Sequence, residues 1–376
     1  MIFFLLEILA IEGCVAMEHF YCKTKIVSGA GSVAYLKELK SRRLLLVADP
    51  YFEKDGTAER LLALSGAEQV ARFYKVEPDP TVALAAEGTA LVKEFQPDTV
   101  VALGGGSAMD CAKAMVFFAG LQVRLVAIPT TSGSGSEVTD FSVLTHKKVK
   151  HPLVDEKICP DVAILDSDLL KKLPKGLIAD TGFDVLSHAM EAFVAKNASP
   201  ITDALAKEAF SVAYRALPAS YGGNLEVRGK VHGAATMAGM AFTRAGLGLC
   251  HAMAHSLGAL LHLPHGRLNA ILLPAVMDCN SHFCADRYAA LARAAGITGA
   301  SDTVAVRNLR NGLVRLRREL GLPQTLKEAG IDPRQVRFHA GEIVTATLAD
   351  ACSQTNPSPV EDFMVRRILE EVCGGV

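Results

Sequence analysis

The first half of the chain alternates short apolar runs with stretches of helical periodicity. Such alternation is typical of βαβ units that build a parallel sheet. The predicted strands are residues 43–49, 68–76, 98–107 (the last running into a glycine turn) and 123–131, and the predicted helices are residues 58–67, 82–95 and 108–118. We therefore predict an α/β domain with a Rossmann-like parallel sheet over residues 17–175.

The second half changes to one helical pattern after another. From about residue 176, Ala, Leu, His and Met recur at helical spacing. Pro174 and Gly176 mark the predicted boundary, and later proline and glycine breaks are expected to separate helices. These breaks are Pro218, Gly222, Gly223, Pro264 and Pro274. We predict an all-helical domain over residues 176–376 and expect a ligand in the cleft between the two domains.

Composition argues against several kinds of partner. Lys plus Arg total 39 and Asp plus Glu total 40, which gives a net charge of −1. No basic excess is therefore present to bind nucleic acid or an anionic membrane. No apolar run reaches the roughly 18 residues that a membrane span needs. The nine cysteines lie far apart without a CxxC pair, as expected for the reduced thiols of a cytoplasmic enzyme.

The N-terminal residues are a separate question. Residues 2–11 are mostly apolar, but no Lys or Arg precedes them and Glu7 interrupts the run. A signal peptide needs a positively charged start, so that interpretation is disfavoured. We interpret residues 1–16 as an N-terminal extension ahead of a domain that begins at Met17.

A glycine turn follows one predicted strand and opens a helix. Gly105, Gly106 and Ser107 in this turn would let the backbone approach a phosphate, which the helix N-terminus favours. A plain tight turn is the simpler alternative. Asp110, in the first turn of that helix, would ordinarily just stabilise the helix end. The common G-x-G-x-x-G fingerprint is absent, so an ordinary Rossmann dehydrogenase is not implied.

Two further features suit a nucleotide site. Thr130, Thr131 and Ser134 lie in a loop of small hydroxyl residues and glycines after a strand, where a nucleotide could be held. A flexible surface loop is the alternative. Asp49 ends an earlier strand, where a carboxylate could bind ribose hydroxyls and repel a 2′-phosphate. It could equally be a turn residue before Pro50.

The histidines indicate a metal site more specifically than the glycine turn and the hydroxyl loop indicate a nucleotide site. Four of the 11 histidines, His251, His255, His262 and His265, lie between residues 251 and 265. Asp184 and His188 are four residues apart, as are the first two of that group, and this spacing places each pair on one helix face. A carboxylate with several imidazoles is a donor set for a divalent transition metal, either Fe²⁺ or Zn²⁺. The alternative is a set of hydrogen-bonded core histidines. His262 lies among leucines and is interpreted as structural, and spacing leaves open which of the other three bind metal.

At these segments the chain resembles the iron-containing (group III) alcohol dehydrogenases. The matching segments are residues 104–110 with Lys113, 130–139, 161–166, 182–191, 246–266 and the pair Asn356-Pro357. The similarity extends from about Phe20 to the C-terminus, and within the family it is greatest to the 1-propanol dehydrogenases of propanediol-degrading bacterial microcompartments. The resemblance implies the two-domain architecture shared with dehydroquinate synthase and a homodimer or larger assembly.

The resemblance also implies roles for individual residues. The implied metal ligands are Asp184, His188, His251 and His265, with iron as the metal and zinc as the alternative. His255 is implied beside the nicotinamide as a catalytic proton relay, and Phe141 and Phe242 in the substrate pocket. The implied NAD(H)-binding residues are Gly105, Gly106, Ser107 and Asp110 at the pyrophosphate, Thr130, Thr131, Ser134 and Thr139 nearby, Asp49 at the adenosine ribose and Lys150 at the nicotinamide ribose.

Two positions depart from the family pattern. Ser134 replaces a threonine, which retains the hydroxyl. Arg267 follows the fourth implied ligand, where a small or aliphatic residue is usual. It is either a surface or helix-start arginine, or an anion contact that favours a carboxylate-bearing aldehyde, as in a 4-hydroxybutyrate-type dehydrogenase.

Three functions remain to be compared. The first is an NAD(H)-linked alcohol dehydrogenase that interconverts short primary alcohols and aldehydes, such as 1-propanol and propanal, free in the cytoplasm or inside a microcompartment. The second is a metal- and NAD-dependent lyase or cyclase like dehydroquinate synthase. Such an enzyme needs several cations for a phosphorylated substrate, and only Arg244 and Arg267 lie close to the metal segments. The third is a non-catalytic metal- or nucleotide-binding component of a microcompartment.

Overall fold

A computed structural model describes residues 19–147 and 149–374. The predicted N-terminal extension, residues 1–16, lies outside the described part of the chain. The described residues contain eight strands: β1 (Lys25–Ser28), β2 (Arg43–Ala48), β3 (Gln69–Phe73), β4 (Thr99–Gly104), β5 (Arg124–Pro129), β6 (Phe141–His146), β7 (Val149–Val154) and β8 (Val162–Leu165).

Six of these strands form one sheet in the order β1-β8-β5-β4-β2-β3, and every neighbouring pair is parallel. The helices of this region are α1 (Pro50–Lys54), α2 (Thr57–Ser65), α3 (Val82–Phe95) and α4 (Gly106–Ala119). Alternate residues of β2 enter different cores: Leu44 and Leu46 pack with Leu61 of α2, and Leu45 and Val47 pack with Met109 of α4. Both faces are covered, which is why β2 and β4 are continuous apolar runs.

A hairpin was not predicted. β6 and β7 pair antiparallel as a separate two-stranded sheet. Leu144 of β6 is buried against Ala85 of α3 and Ala114 of α4, so the hairpin is attached to the outside of those helices. The run that forms β7 contains Pro152 and several polar residues, and it therefore gives a weak strand signal.

The rest of the chain is helical. Its elements are α5 (Lys175–Val194), α6 (Pro200–Tyr221), α7 (Leu225–Ala245), α8 (Leu249–Leu261), α9 (His265–Ala294), α10 (Asp302–Glu319), α11 (Pro333–Phe338), α12 (Ala340–Ala349), α13 (Ala351–Thr355) and α14 (Asp362–Cys373). Nearly every residue from Ile178 to Val194 is buried, which makes α5 the central helix of one large apolar core. Polar side chains on α5 are thereby held inside the protein.

Two predicted helix breaks are wrong. Pro218 lies inside α6 and Pro274 lies inside α9. An interior proline costs a helix about 3 kcal/mol, but Leu217 and Leu273, which precede these prolines, are almost completely buried. Burial of such a leucine contributes about 1.5–3 kcal/mol, and packing of the flanking turns adds to it, so the helices continue.

The other breaks do end or begin helices. Gly222 is the C-cap residue of α6, and Pro264 precedes α9 as its N-cap residue. α5 begins directly after Pro174. In the described residues no helix is both long and apolar enough to cross a membrane. The eight cysteines in that part of the chain are all free, and Cys14 lies outside it.

Candidate metal centre and adjoining cleft

Two of the predicted ligands lie on the central helix. Asp184 and His188 are buried on one face of α5, and Asp184 Oδ2 is 4.0 Å from His188 Nδ1. That imidazole nitrogen is itself buried and has no hydrogen-bond partner within the described residues. A buried nitrogen without a donor or acceptor opposite it has a lone pair or proton available for another group.

The other two predicted ligands come from neighbouring helices. His251 lies on α8, and His265 is the first residue of α9. Asp184 Oδ1 is 3.8 Å from His251 Nε2 and 3.7 Å from His265 Nε2. The amide nitrogen of Asn269 donates to Asp184 Oδ1 at 2.8 Å and lies 3.2 Å from each of the two Nε2 atoms. Asp184 Oδ1 and the two imidazole Nε2 atoms therefore surround the Asn269 amide nitrogen.

This arrangement fits a divalent transition metal. Metal–ligand bonds of about 2.0–2.1 Å in a tetrahedral site place the ligand atoms about 3.4 Å apart. The separations from Asp184 Oδ1 to the nitrogens of His251 and His265, 3.8 and 3.7 Å, and from Asp184 Oδ2 to His188 Nδ1, 4.0 Å, are only a few tenths of an ångström longer. A carboxylate with three imidazoles suits Fe²⁺ or Zn²⁺ on chemical grounds.

The protonation states also suit metal binding. Burial lowers the pKa of His251 and of His265 well below the usual value, so both imidazoles are neutral near pH 7. Burial alone would raise the pKa of Asp184, but the imidazoles around it outweigh burial and hold this pKa below its usual value. An anionic carboxylate and neutral imidazoles are the forms that bind metals.

His255 lies beside this centre. Its ring is nearly parallel to that of His265, with centroids 5.3 Å apart, and its Nδ1 is 2.9 Å from Asp350 Oδ2. Burial would raise the pKa of Asp350, but the hydrogen bond with His255 and the neighbouring charge lower it to about 2. Asp350 is therefore an anionic acceptor that orients the His255 ring.

The two predicted pocket aromatics are also brought together here. Phe242 stacks on His188 with ring centroids 4.5 Å apart. Phe141 lies 5.9 Å from Phe242, measured between ring centroids. The two rings thus form an apolar wall on the His188 side of the centre.

A second layer of residues around α8 was not predicted. Glu191 is buried on α5 and accepts hydrogen bonds from the N-terminus of α8, and its Oε2 lies 2.6 Å from His251 Nδ1. Asn356 accepts from the backbone N–H of Leu249 at the same helix end. Glu191 follows Asp184 and His188 at positions i, i+4 and i+7, so the sequence did contain a signal for a third polar residue on that helix face.

The predicted phosphate turn opens the first helix of the cleft. Gly104 ends β4 with φ of 153°, and an added Cβ there would lie 2.6 Å from the Cβ of Ala108. Gly105 is the N-cap residue of α4, and no side chain caps this helix. The first N–H groups of α4 are therefore free to bind an anion, which the helix dipole favours.

One cavity joins this turn to the metal centre. It has a volume of about 610 Å³ and takes residues from both parts of the chain. The predicted site residues in its lining are Asp49, Gly105, Gly106, Ser107, Thr131, Ser134, Asp184 and His265. A second cavity shares Asp49, Gly105 and Thr131 with it and adds Thr130. An elongated ligand can therefore extend from the α4 turn to the metal centre.

Three predicted cofactor residues line neither cavity. Asp110 accepts a hydrogen bond from Ser136, and burial raises its pKa to about 6. Thr139 Oγ1 accepts from the buried Lys113 ammonium at 2.9 Å. Lys150 forms an ion pair with Asp79 at 2.7 Å. These side chains bond to other parts of the protein, and their cofactor role stays a prediction.

Comparison with protein families places the chain in one of them. A model described as iron-containing alcohol dehydrogenase matches residues 23–167, and one described as Fe-containing alcohol dehydrogenase family, C-terminal, matches residues 178–373. The chain belongs to the iron-containing alcohol dehydrogenase family, as the sequence motifs predicted.

Individual relatives cover almost the whole chain. It is 40% identical to the 1-propanol dehydrogenase PduQ of Citrobacter freundii, over 95% of this chain and 100% of that protein. It is 38% identical to the NADPH-dependent butanol dehydrogenase of Clostridium saccharobutylicum, over 96% of this chain and 99% of that one.

A solved structure is similar as well. An iron-containing alcohol dehydrogenase from Thermococcus thioreducens matches with a TM-score of 0.87 at 35% identity, over 95% of this chain and 100% of that chain. The predicted fold class is confirmed: a parallel-sheet α/β region is followed by a helical region, in a dehydroquinate synthase-like architecture.

Proposed function

We propose that this chain is an NAD(H)-linked alcohol dehydrogenase that interconverts short primary alcohols and aldehydes, with 1-propanol and propanal as the leading pair. The observation that carries the proposal is the single cavity lined by the α4 turn and by Asp184 and His265. Hydride transfer needs the reacting carbon and the nicotinamide about 3–3.5 Å apart. A cavity continuous between the two sites allows such an approach.

Asp184, His188, His251 and His265 are the residues that would hold the metal. A divalent cation there would polarise a hydroxyl or carbonyl oxygen, and a nicotinamide would exchange the hydride. The protein supplies one anionic carboxylate and neutral imidazoles, so the ligand set keeps most of the cation's charge available. Phe141 and Phe242 cover one side of the centre and exclude water from it.

His255 is the residue proposed to move the proton. Because anionic Asp350 accepts at Nδ1, the Nδ1 atom of His255 carries the proton in the neutral ring. Its Nε2 is then the basic nitrogen and can exchange a proton with a substrate hydroxyl or water. The partly exposed position of this imidazole is consistent with proton exchange with solvent.

Asp49 is the residue proposed to favour NAD over NADP. It lines both cavities, and its carboxylate would repel the extra phosphate of NADP. One relative is named for NADPH, so family membership alone does not decide the cofactor. The charge at Asp49 supports NAD for this chain.

The cavity chemistry favours uncharged substrates. No Lys or Arg occurs among the described residues that line the 610 Å³ cavity, and Arg60, Lys171 and Lys172 line only the second cavity, which does not include Asp184 or His265. Arg267 donates two hydrogen bonds of 3.0 Å to Asp180, which already neutralises its charge. These observations weigh against both the phosphorylated substrate of a lyase and the carboxylate-bearing aldehyde of a 4-hydroxybutyrate-type enzyme.

Assembly and location are also part of the proposal. The resemblance to the 1-propanol dehydrogenases supports a homodimer or larger assembly, in the cytoplasm or within a microcompartment. Sedimentation of the full chain measures its oligomeric state. Co-purification with shell proteins of the source organism measures its association with a microcompartment. A monomer at micromolar concentration would contradict the proposed assembly.

The direct test of function is metal analysis of anaerobically purified protein together with rates of NADH oxidation. We expect about one divalent ion per chain and faster reduction of propanal and butanal than of succinic semialdehyde. A protein that binds the ion but neither oxidises NADH with any aldehyde nor reduces NAD⁺ with any alcohol would contradict the proposed activity. A lyase would regenerate its cofactor and would give that result.

A further inference from the structure

We propose that Glu191 is a positioning residue that fixes which nitrogen of His251 faces the metal centre, and so sets the affinity of that centre for a divalent cation. The inference rests on the proposed metal centre and is independent of the proposed substrate. It concerns a residue at the end of the matching segment 182–191 that was given no role as a metal ligand or a cofactor contact.

The first observation is the set of donors around the Glu191 carboxylate. Oε2 accepts from the backbone N–H of Gly248 at 3.0 Å and from that of His251 at 3.3 Å. Oε1 accepts from the N–H of Cys250 at 2.6 Å. The same Oε2 is 2.6 Å from His251 Nδ1. Every other contact is made by a backbone donor, so the carboxylate form of Glu191 accepts at all its contacts, and His251 then carries its proton on Nδ1.

The second observation lies on the opposite side of the ring. The amide nitrogen of Asn269 is 3.2 Å from His251 Nε2. The two N–H groups of this amide are shared among Asp184 Oδ1, His251 Nε2 and His265 Nε2, so this contact accommodates a lone pair on His251 Nε2 without fixing the tautomer by itself. The Glu191 contact therefore selects the tautomer, and the Asn269 contact is compatible with it.

Glu191 is held in place by the local structure. Gly248, the N-cap residue of α8, has no side chain to cap the helix, and an added Cβ would lie 2.8 Å from Glu191 Oε1. The carboxylate fills the space that a cap would occupy, and it is almost completely buried. The side chain thus both caps α8 and orients the imidazole, and an experiment must separate these two effects.

The substitution Glu191→Gln changes how this side chain orients the His251 imidazole, while the volume of the side chain changes little. If its amide group replaces Oε2, it faces His251 Nδ1 as a donor and moves the ring proton to Nε2, towards the metal. If its oxygen replaces Oε2, the acceptor is neutral and the basicity of the ring falls. Partners of this kind contribute about 10–100-fold to metal affinity.

Asn356→Ala is the matched control. Asn356 accepts from Leu249 N–H at the same helix end but contacts no imidazole. Its loss weakens the cap of α8 without a change at His251. Both variants should lower the unfolding temperature of the metal-free protein, and only Glu191→Gln should weaken metal binding.

The experiment is a titration of the metal-free full chain with Co²⁺ against a competing chelator, with unfolding temperatures measured in parallel. We expect Glu191→Gln to weaken Co²⁺ binding about 10–100-fold, and Asn356→Ala to stay within about threefold of the wild type. Unchanged affinity in Glu191→Gln, or equal losses in both variants, would overturn the proposal. If the wild type itself binds no Co²⁺, the proposed metal centre, and not only the role of Glu191, would be contradicted.

A second measurement needs no variant. In Zn²⁺-loaded wild type with ¹⁵N-labelled histidine, nitrogen–proton correlation spectra report which nitrogen of each ring carries the proton. We expect His251 to be protonated at Nδ1 and to bind the metal through Nε2. Metal bound at Nδ1 of His251 would overturn the proposal even if Glu191→Gln failed to fold.

Discussion

The N-termini of helices α4 and α8 have similar local structures, but different groups lie in front of them. α4 and α8 each start at a glycine, Gly105 and Gly248, and neither has a side-chain cap of its own. The start of α4 opens onto the cleft. The start of α8 is closed by Glu191 and Asn356, which reach it from elsewhere in the chain.

The difference shows that the same attraction of a helix N-terminus for anions can either fix a helix within the protein or bind a ligand. Free N–H groups and the helix dipole attract an anion at both places. At α8 the acceptor is a carboxyl group of the protein itself, so the helix that carries His251 is fixed. At α4 the space is left for a ligand phosphate. Changes near α4 should therefore affect cofactor binding alone, and changes near α8 should affect the metal.

The largest effect is expected on the metal side, from His265→Ala. Loss of one of four ligands should cost more than loss of a partner behind a ligand, so we expect metal affinity and NADH-linked propanal reduction to fall by more than about 100-fold. Metal content and initial rates on the same preparation measure both. A purified variant that keeps its metal and its rate would show that His265 is not a ligand.

His262→Asn is the matched control for that change. His262 is exposed, ends α8 in the left-handed conformation with φ of 54°, and is three residues from His265. Asparagine tolerates this conformation, so metal content and rate should stay at the wild-type level. A loss of metal and rate comparable to that of His265→Ala would mean that any substitution in this segment disturbs the site, so the His265 result would not identify a ligand.

The next largest effect is expected at the start of α4, where Gly105→Ala should weaken NADH binding. The added Cβ would lie 3.2 Å from Thr131 Oγ1 and would intrude where a phosphate must approach the backbone. Loss of one charge-assisted hydrogen bond costs about 1.5–3 kcal/mol, or roughly 10–100-fold in NADH affinity. Fluorescence titration with NADH measures it, and Co²⁺ affinity should not change. Weaker Co²⁺ binding would contradict the separation of the two sites.

Gly233→Ala serves as the control for the glycine change. Gly233 lies in α7, and an added Cβ there meets no atom within 4 Å. Alanine is also the better helix former by about 1 kcal/mol. NADH affinity should therefore be unchanged and the unfolding temperature equal or higher.

A smaller effect is expected from Asp49→Asn. Asp49 Oδ1 caps α1 by accepting from Tyr51 N–H, and asparagine can do the same. The variant thus removes the charge and keeps the cap. We expect kcat/KM for NADPH relative to NADH to rise about tenfold, equivalent to about 1.4 kcal/mol. An unchanged ratio at an unchanged unfolding temperature would exclude Asp49 as the selecting residue.

The smallest catalytic effect is expected from Arg267→Ala. Because this guanidinium is paired with Asp180, we expect the preference for propanal over succinic semialdehyde to stay within about threefold of the wild type. Loss of this partly buried pair should cost stability instead, about 1–3 kcal/mol, as measured by urea unfolding. A selective loss of succinic semialdehyde reduction would establish Arg267 as an anion contact.

Local sequence signals predicted much of this arrangement. The i, i+4 pairs on α5 and α8 and the glycine turn after β4 are encoded within a few residues each. In the structure Asp184 and the glycine turn line one cavity, and His251 of α8 lies 3.8 Å from Asp184. The contacts of Glu191 and Asn356 with α8 join residues 57 and 107 positions apart in the chain. Spacing rules do not predict such pairs, since they arise only when α5 and the residue that follows α13 pack against the start of α8.

The errors have a physical cause of the same kind. Pro218 and Pro274 predict breaks locally, but the helices around them are held by burial in a core made of many distant residues. The hairpin of β6 and β7 was missed because its stability comes from Leu144 packed on α3 and α4, not from its own strand propensity.

The most direct test of the whole account is an anomalous-difference map from a crystal of the Co²⁺-loaded protein with NAD bound. We predict one strong peak about 2.0–2.2 Å from side-chain atoms of Asp184, His188, His251 and His265, with the pyrophosphate at the start of α4. A peak coordinated by other residues, or a pyrophosphate bound away from that turn, would contradict the account.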